Sequence, residues 1–544
     1  MPLIVSTDKT QLTNFRDKMA YPIYLTIGNI SKDIRRKPSH HAQILIGYIP
    51  TTKFTAITST AVRRRALTNL FHTCMQTVLG PIALYGEAGI QMMSGDGVWR
   101  RCHPIFATFV GDYPEQALVT CTYYSRCPKC KVPRRLLGEY QTFPSHLQSS
   151  VIDSYLSADA DGQAFHLACH EAGLKPVNHP FWESLPLVDI FLSITPDILH
   201  QIHQGMVKHL IVWLAEIFGS VVIDARCRAI PPNHNVTLFT KGIVKLSRVT
   251  GQEHKRMCSI LLGLIIDLPA PSGRDPSRIV RSVRALMDFF FIAQYQCQTG
   301  DTIQQLTDCL SVFHDNKDVF LDLGVRKDFN LPKLHSLSHY ASSIQLFGTT
   351  DNYNTEHSER LHIDFVKDSY RASNHKDEYF QMTRWLERRE KVQLHAAAIN
   401  RRKQEHRQSS LTHNPIVPLR ASSLIAKIAQ NPSKRESFND LAADYGAVHF
   451  LDALGDFIAQ VNNPGATASR LRERSHNTLI PFSHVPVFHY FKFKKSSNSD
   501  ESEIVDSVYA RPEHRDPHGR IIPSRFDTVV VRHNGPKGTV IQSY

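Results

Sequence analysis

Residues 105–112 read IFATFVGD, and a related pattern opens the chain at residues 3–8, LIVSTD. In both stretches a short β-branched and aromatic run is followed by an aspartate, directly or after one glycine. Runs of this composition that are bounded by Gly, Pro or Asp predict strands. We therefore expect Asp8 and Asp112 to follow the ends of two strands.

The remainder of residues 1–125 predicts a mixed α/β sheet. Further strands are predicted at 21–30 (YPIYLTIGNI), 41–51 (HAQILIGYIPT) and 116–124 (QALVTCTYY). The apolar spacing of residues 61–80 (AVRRRALTNLFHTCMQTVLG) predicts a helix that stops at Gly80. A helix placed between strands in this way favours the α/β class.

The character of the sequence changes after residue 125. Residues 126–330 predict a large, mostly helical insertion with amphipathic segments such as SRIVRSVRALMDFFFIAQYQC, and residues 331–400 predict further helices. The region 410–544 predicts a C-terminal α+β accessory part. It contains one amphipathic helix (FNDLAADYGAVHFLDALGDFIAQV), a flexible acidic stretch near 494–504 and a late strand (RFDTVVVRH).

Composition limits the class of protein. The 544 residues contain 63 Lys and Arg against 50 Asp and Glu, a net charge of +13, which favours a polyanionic partner such as nucleic acid. Ten cysteines without regular spacing do not predict a disulfide framework, so a reducing, intracellular compartment is expected. The sequence predicts neither a signal peptide nor a membrane span.

Acids that follow strands suggest a metal site. Two carboxylates at the ends of adjacent central strands are suited to Mg²⁺, which prefers hard oxygen ligands. Two such ions activate water and stabilise a leaving oxygen in phosphoryl displacement. Glu356 and Glu359 lie three apart on one face of a predicted helix, and either is a candidate third acid. The structural alternative is that each Asp simply caps a turn or a helix.

Residues 193–205, SITPDILHQIHQG, place Asp197, His200 and His203 at helical spacing. Such a set fits either a polar helix face or a helix start that faces a charged site.

A possible zinc site is indicated by Cys127 and Cys130, which form a C-x₂-C pair. This pair supplies half of the four ligands that structural zinc requires. Candidates for the other half are Cys121, His166, Cys169 and His170. His335 and His339 are four apart, a spacing that can chelate metal, but we interpret them as histidines packed near the acids or in the core, and we leave them out of the predicted metal site.

Four basic clusters are candidates for phosphate contacts: residues 35–38, 63–65, 100–101 and 401–407. Taken singly, each cluster is more typical of a solvated face than of a DNA contact. The spacing ERREK…NRRKQEHR also resembles a bipartite nuclear-import signal, which predicts a nuclear protein.

A family resemblance covers residues 4 to 392 in order. The strings STDKTQLT, ILIGYIPTT, GDGVWRRCHPIFATFVGDYPEQALVT, VDIFLSITPDILHQIHQGMVKHL and TDNYNTEHSERLHIDFVKDSY resemble the transposases of fungal Plavaka elements. These are grouped with the Kyakuja–Dileera–Zisupton superfamily and are similar to CACTA-type transposases. The length and order of the matching strings make the resemblance specific.

The resemblance implies an RNase H-like fold whose Asp-Asp-Glu site is split by a helical insertion before the last acid. Residues 1–125 would then begin the catalytic core and residues 331–400 complete it. Asp8 and Asp112 correspond to the two aspartates, and SERLH favours Glu359 over Glu356 as the glutamate. Asp197 and His200 fit a [Cys/Asp]-x-x-His signature at the edge of such sites.

The implied function is transposition of DNA: strand cleavage and strand transfer at transposon ends with two Mg²⁺ or Mn²⁺ ions, in the nucleus, by a homo-oligomer on DNA. The alternative is a decayed or domesticated remnant that binds DNA or protein without catalysis. Because Asp8 lies seven residues after Met1, we expect no DNA-reading module before the first strand, and hence DNA binding with little sequence preference and strong salt dependence.

Overall fold

The computed structural model describes residues 1–13, 18–156, 162–231, 233, 236–247, 249–271, 275–411, 425–428, 431–463, 475, 478–495, 504–516, 519–526, 530–535 and 538–543. The chain forms two compact units, residues 1–407 and 408–544. The fold is mixed α/β, as the sequence predicts, with a four-stranded mixed sheet and many helices.

The central sheet of the first unit contains β1 (Pro2–Thr7), β2 (Pro22–Ile27), β3 (Gln43–Tyr48) and β4 (Ile105–Val110). Its strand order is β3-β2-β1-β4, with β1 antiparallel to β2 and β2 antiparallel to β3. β4 runs parallel to β1, so the carboxyl ends of these two strands lie at the same edge. Three of the four strands fall within the stretches that the sequence predicts, and β1 begins one residue before its stretch, at Pro2.

One face of the sheet packs on helix α1 (Thr60–Ala88). Phe71 and Met75 of α1 are buried against Val5, Phe106 and Phe109 of the strands. The predicted stop at Gly80 is wrong: α1 continues through Pro81 and ends before Gly89, whose φ of 75° is strained for other residues. Beyond Gly80 the helix is mostly exposed, and its close contact is at Gly86, where an added Cβ atom would meet Pro186 and the carbonyl oxygen of Pro104.

The predicted strand at 116–124 is also wrong, because α2 (Tyr113–Val119) occupies this position. The side chain of Asp112 caps α2 by accepting a hydrogen bond from the N–H of Glu115, and Pro114 stands in the first turn. These start signals outweigh the β-branched character of the residues that follow.

The helical part of the first unit has a second apolar core, which includes Ile202, Trp213, Leu286 and Phe313. Its principal helices are α3 (Ile198–Val207, π-helical), α4 (Lys208–Phe218), α5 (Gly251–Leu261), α6 (Ser277–Ile292), α7 (Gly300–Asn316), α8 (Pro332–Ser336), α9 (Thr355–Leu361) and α10 (Glu378–Leu411). Shorter helices span Lys32–Arg35, Gln148–Leu156, Gly162–Glu171, Ile190–Ser193, Ser220–Arg228, Val319–Asp322, Tyr340–Phe347 and Asp368–Arg371.

Among the described residues no single helix is suited in length and apolarity to cross a membrane; the bent pair Ile198–Phe218 and Ser220–Arg228 meets those two criteria together.

The second unit contains both strands and helices. Its four-stranded antiparallel sheet has the order Arg525–Phe526, Ile504–Arg511, Tyr490–Lys495, Ile425–Ile428. The predicted single helix after residue 437 is two, Phe438–Tyr445 and Phe450–Asn462, because Gly446 adopts a left-handed conformation that ends the first. Residues 496–503 of the predicted acidic stretch lie outside the described residues.

Candidate active site

Asp8 and Asp112 follow two adjacent parallel strands at the carboxyl edge of the sheet. Ser6 of β1 pairs with Val110 of β4, and each aspartate follows its strand two residues beyond that pair. Because the two strands are adjacent and parallel, the residues that follow them emerge at one edge. This is the juxtaposition that the sequence prediction required.

Glu359 reaches the same site from α9 through His200. The Nε2 atom of His200 lies 3.2 Å from Oε1 of Glu359, and its Nδ1 atom lies 2.6 Å from Oδ2 of Asp197. One imidazole therefore bridges a buried carboxylate on one side and a partly exposed one on the other: the side chain of Asp197 is 1% exposed and that of Glu359 is 37% exposed. We call Asp8, Asp112, Asp197, His200 and Glu359 the acid edge.

Asp197 fixes the start of α3 and its distance from α9. Its carboxylate accepts hydrogen bonds from the N–H groups of Leu199 and His200, which cap the helix, and from the hydroxyl of Thr355 at 2.6 Å. Thr355 stands one turn before Glu359 on α9. Asp197 is thus both a helix cap and a tie between two helices, so the structural and functional interpretations of this residue are compatible.

The segment before Asp197 is held along the open side of β4. Ile194 forms a parallel bridge with Phe109, and the hydroxyl of Thr195 donates to the carbonyl oxygen of Phe109 at 3.2 Å. The amide of Gln116 donates to the carbonyl oxygens of Gly111 and Thr195. These bonds carry the chain past Asp112 and deliver Asp197 to the acid edge.

Crowded negative charge dominates the electrostatics. Burial raises the pKa of Asp8 to about 7, and the carboxylates of Asp112, Glu115 and Glu359 add to the rise. Burial also raises the pKa of Asp112. For His200, burial opposes the charge, but hydrogen bonds to Asp197 and Glu359 outweigh it and raise its pKa to about 11. The imidazole is therefore a cation at neutral pH and partly offsets the acids.

Glu115 is a site residue that sequence reasoning missed. It is buried under the edge, where its Oε2 atom accepts hydrogen bonds from the hydroxyls of Thr7 at 2.6 Å and Tyr21 at 2.5 Å. Burial raises its pKa to about 7. The only sequence signal was its place three residues after Asp112, which also fits an ordinary first-turn acid. Burial of its side chain is decided by the tertiary structure.

The two candidate glutamates face different neighbours. Glu359 contacts His200 and acts on the pKa values of Asp8 and Asp112. Glu356 lies toward α5, where Lys255 offsets part of the burial that raises its pKa, and Asn354 donates to it at 3.4 Å. This geometry favours Glu359.

Two basic side chains from the turn after β2 bind the segment that precedes α9. The guanidinium of buried Arg35 donates to the backbone and side-chain oxygens of Asn352 at 3.1 and 2.7 Å. Lys32 forms an ion pair with Asp351 at 3.0 Å. The turn after β2 therefore fixes where α9 begins, and with it the position of Glu359.

A second constellation joins Cys127 and Cys130 to His335 and His339, the Cys/His cluster. Its four donor atoms all lie within 4.8 Å of one another. Sγ of Cys127 is 3.2 Å from Nε2 of His339, and Sγ of Cys130 is 3.1 Å from Nε2 of His335. Although burial opposes it, hydrogen bonding from Cys130 and the nearby histidines hold the pKa of Cys127 well below its ordinary value.

The Cys/His cluster corrects the sequence-based choice of partners. His335 and His339, which were excluded, complete the set, whereas Cys121 lies 3.3 Å from Nε2 of His72, and the other candidates do not join the described group. Two thiols and two imidazoles within this spacing match the donor set of tetrahedral structural zinc. Lys129, between the cysteines, donates to the carbonyl oxygen of Ile194 at 2.6 Å, so the cluster supports the segment that carries Asp197.

Among the described residues, the Cys/His cluster is the one group of potential metal ligands with donors this close together. The carboxylates of Asp8, Asp112 and Glu359 are more widely spaced. Like charges without a cation between them repel, and ligands of two ions need not all meet at one point.

Comparison with known proteins gives one family. No curated protein matches the chain. Residues 1–214 match the model of the family described as Plavaka transposase, a stretch that contains Asp8, Asp112, Cys127, Cys130, Asp197 and His200. Over these residues the chain is similar to the Plavaka transposase family, which agrees with the resemblance stated from the sequence.

Proposed function

We propose that this protein is a DNA transposase that cuts and joins DNA strands at transposon ends, with Asp8, Asp112 and Glu359 as the metal-binding acids. The observation that carries the proposal is that two aspartates follow adjacent parallel strands while a glutamate faces them through His200. The family match implies DNA as the partner. The order β3-β2-β1-β4 supports an RNase H-like core, with the helical residues after 125 as its insertion.

The acid edge suits hard divalent cations. Its donors are carboxylate oxygens, which Mg²⁺ and Mn²⁺ prefer. Burial and then the neighbouring carboxylates raise the pKa of Asp8, and a bound cation would favour its charged form. Two such ions, when bound, supply an activated water or 3′-hydroxyl and stabilise the departing oxygen. The residues of the chain supply position and charge and form no covalent bond with DNA.

Asp197 and His200 are positioning residues in this proposal. Asp197 fixes the orientation of the imidazole by accepting from Nδ1, and the charged ring holds Oε1 of Glu359. Partners of this kind, one shell beyond a metal, commonly change metal affinity or activity about 10–100-fold when removed. The positive ring also lowers the cost of bringing a DNA phosphate beside three acids.

The Cys/His cluster is proposed to bind one structural Zn²⁺. Its ligands come from two segments about 200 residues apart in sequence, separated by 205 and 212 positions for the two Cys–His contacts. Zinc there would tie the loop after α2 to the helix that leads toward α9. The catalytic edge and its third acid would then keep a fixed relation.

Two further parts of the proposal concern the assembly and its place in the cell. We propose a homo-oligomer when the protein engages paired DNA ends; light scattering with and without end duplexes tests this, and a monomer on DNA contradicts it. We also propose nuclear import through the basic runs of α10. A fluorescent fusion excluded from the nucleus would reject that assignment.

The test of the main proposal is Asp112→Asn. Asparagine still caps α2, so the variant separates catalysis from capping. We expect Mg²⁺-dependent nicking of DNA to fall at least about 10²-fold, the scale for loss of one preorganised charge-stabilising group. DNA affinity should stay equal or rise, because a negative charge near phosphate is removed.

The matched control is Asp189→Asn, since Asp189 is not one of the acid-edge residues and caps a short helix by the same type of hydrogen bond. It should leave nicking unchanged. Wild-type protein that binds DNA but does not nick it under any divalent metal would favour the decayed alternative. Equal nicking by wild type and Asp112→Asn would reject the assignment of the acids.

A further inference from the structure

A cavity of about 1060 Å³ opens beside the acid edge, in the first unit. It lies between α1, the loop Ile49–Lys53 and the segment Lys175–Val177, and we call it the α1 cavity. Its volume is at the upper limit of ordinary small-ligand sites, about 300–1,000 Å³. The space is therefore sufficient for a nucleotide-sized group.

The lining of the α1 cavity is largely apolar, and its Lys and Arg residues give it one sign of charge. Lys9, Lys53, Arg64, Arg65 and Lys175 contribute to it, and no Asp or Glu stands among the described residues that line it. A concave surface with one sign of charge focuses the field and concentrates counter-ions. The positive charges of these Lys and Arg side chains would attract a polyanion such as the phosphate backbone of a nucleic acid.

Aromatic rings stand among these cations. Tyr124 is 61% exposed at the cavity, with its ring 5.2 Å from that of Tyr113 in an edge-to-face contact. Tyr123 and the buried Phe71 also line the wall. Exposed tyrosine beside clustered Lys and Arg is the composition of sites that stack unpaired bases while cations follow the backbone. In a duplex the bases are already stacked on one another, so their faces are not free to stack on an exposed tyrosine.

The α1 cavity adjoins the acid edge through three neighbours. Lys9 directly follows Asp8, and its ammonium lies 4.8 Å from the centroid of the Tyr21 ring. Tyr21 lines the cavity and also donates to Glu115 beneath the edge. Leu118 belongs to α2, which begins at Asp112. A strand whose phosphate lies at the acids thus has its next nucleotides at the cavity mouth.

We propose that the α1 cavity binds an unpaired segment of the DNA strand beside the cut site, with one base stacked on Tyr124 and phosphates beside Lys9, Arg64 and Arg65. This site rests on the proposed function and extends it: the substrate is a duplex end that is opened or frayed next to the scissile phosphate. Placing the base outside the duplex costs unpairing, which stacking and phosphate contacts offset.

The test measures binding, not cleavage. The full chain is titrated with a fluorescein-labelled 12-nucleotide single strand and with a blunt duplex of mixed sequence, in Ca²⁺. Tyr124→Leu should weaken single-strand binding about 5–150-fold, the range for loss of one stacked base, and change duplex binding little. Tyr124→Phe keeps the ring and should bind like wild type. The control Tyr85→Leu alters an exposed tyrosine of α1 outside the cavity.

A second experiment tests the phosphate contacts with the double variant Arg64→Ala/Arg65→Ala. Its control is Arg281→Ala/Arg284→Ala, which also removes two positive charges, from the exposed face of α6. Only the first pair should lower the salt slope for the single strand, by about 1.4, because each phosphate contact contributes about 0.7. Equal effects of both pairs, equal effects of Tyr124→Leu and Tyr85→Leu, or an equal loss for duplex would overturn the proposal. None of these binding measurements requires nicking. They therefore test the α1 cavity even if Asp112→Asn nicks DNA as fast as the wild type does.

Discussion

The acid edge and the Cys/His cluster lie close in the fold but are built differently. The acid edge gathers oxygen donors on a partly open rim, with Glu359 37% exposed and its donors spaced apart. The Cys/His cluster gathers sulfur and nitrogen donors, three of its four residues buried, within 4.8 Å. Soft donors in a closed site favour tightly held zinc, whereas hard donors at an open site favour exchangeable Mg²⁺ and room for substrate. We therefore propose that the Cys/His cluster stabilises the fold and that the acid edge performs the chemistry.

Charge separates the two sites further. At the acid edge, burial and like charges raise the pKa of Asp8 to about 7, so the metal-free edge is under repulsion. In the Cys/His cluster, the hydrogen bond between the two thiols and the nearby histidines lower the pKa of Cys127, while the same hydrogen bond raises the pKa of Cys130, so one thiolate is favoured. We expect the first site to need a cation for activity and the second to need one for stability.

The largest effect is expected at the Cys/His cluster. Purified protein should carry about one equivalent of zinc, and His335→Ala/His339→Ala should lose it along with at least about 3 kcal/mol of the free energy of unfolding, since structural zinc contributes folding energy directly. Metal analysis and thermal unfolding check this.

The control is His166→Ala/His170→Ala, which alters two exposed histidines that the sequence had offered as ligands. It should retain zinc. Native protein without zinc, or loss of zinc from the control alone, would contradict the assignment and remove the contrast between the two sites.

The second effect ranks the two glutamates at the acid edge. Glu359→Gln should lower Mg²⁺-dependent nicking at least about 10²-fold, because the group that faces His200 and the aspartates is lost. Glu356→Gln keeps the same size and should cost less than about tenfold, or about 1.4 kcal/mol of barrier. Nicking rates at saturating Mg²⁺ provide the measurement. The reverse order would show that Glu356 is the third acid.

The smallest effect is on the pH dependence of stability. The folded-state pKa of Asp8 is about 7, against 3.8 for an ordinary Asp, so the folded protein holds a proton that the unfolded chain releases in this window. The free energy of unfolding of metal-free protein therefore falls as pH rises from about 4 to 7. Asp8→Asn should reduce that fall by about 1–2 kcal/mol, allowing for solvent screening.

Chemical denaturation at pH 5 and pH 8 provides the measurement, with Asp33→Asn as an exposed control, and Mg²⁺ should recover wild-type stability at pH 8. An unchanged slope in Asp8→Asn would mean that the acid edge is not under the repulsion described above.

Sequence reasoning succeeded where the signal was local. The strands that precede Asp8 and Asp112, the pair Cys127 and Cys130, and the start of α3 at Asp197 are all encoded within a few residues. It failed where two local signals competed. The capping residues at Asp112 outweighed the strand pattern after it, and α1 continues beyond the predicted stop at Gly80 to Ala88.

By itself, the sequence determined the α/β class, the family resemblance and the residue types of both sites, because composition, periodicity and cap chemistry act over short distances. Only the tertiary structure decided which residues meet. The partners of Cys127 and Cys130 lie more than 200 positions away, and Glu115 is buried beneath the edge while Glu356 and Glu359 point to different neighbours. Spacing along the chain holds no information about such contacts, because they depend on how the sheet and the helical core pack against each other.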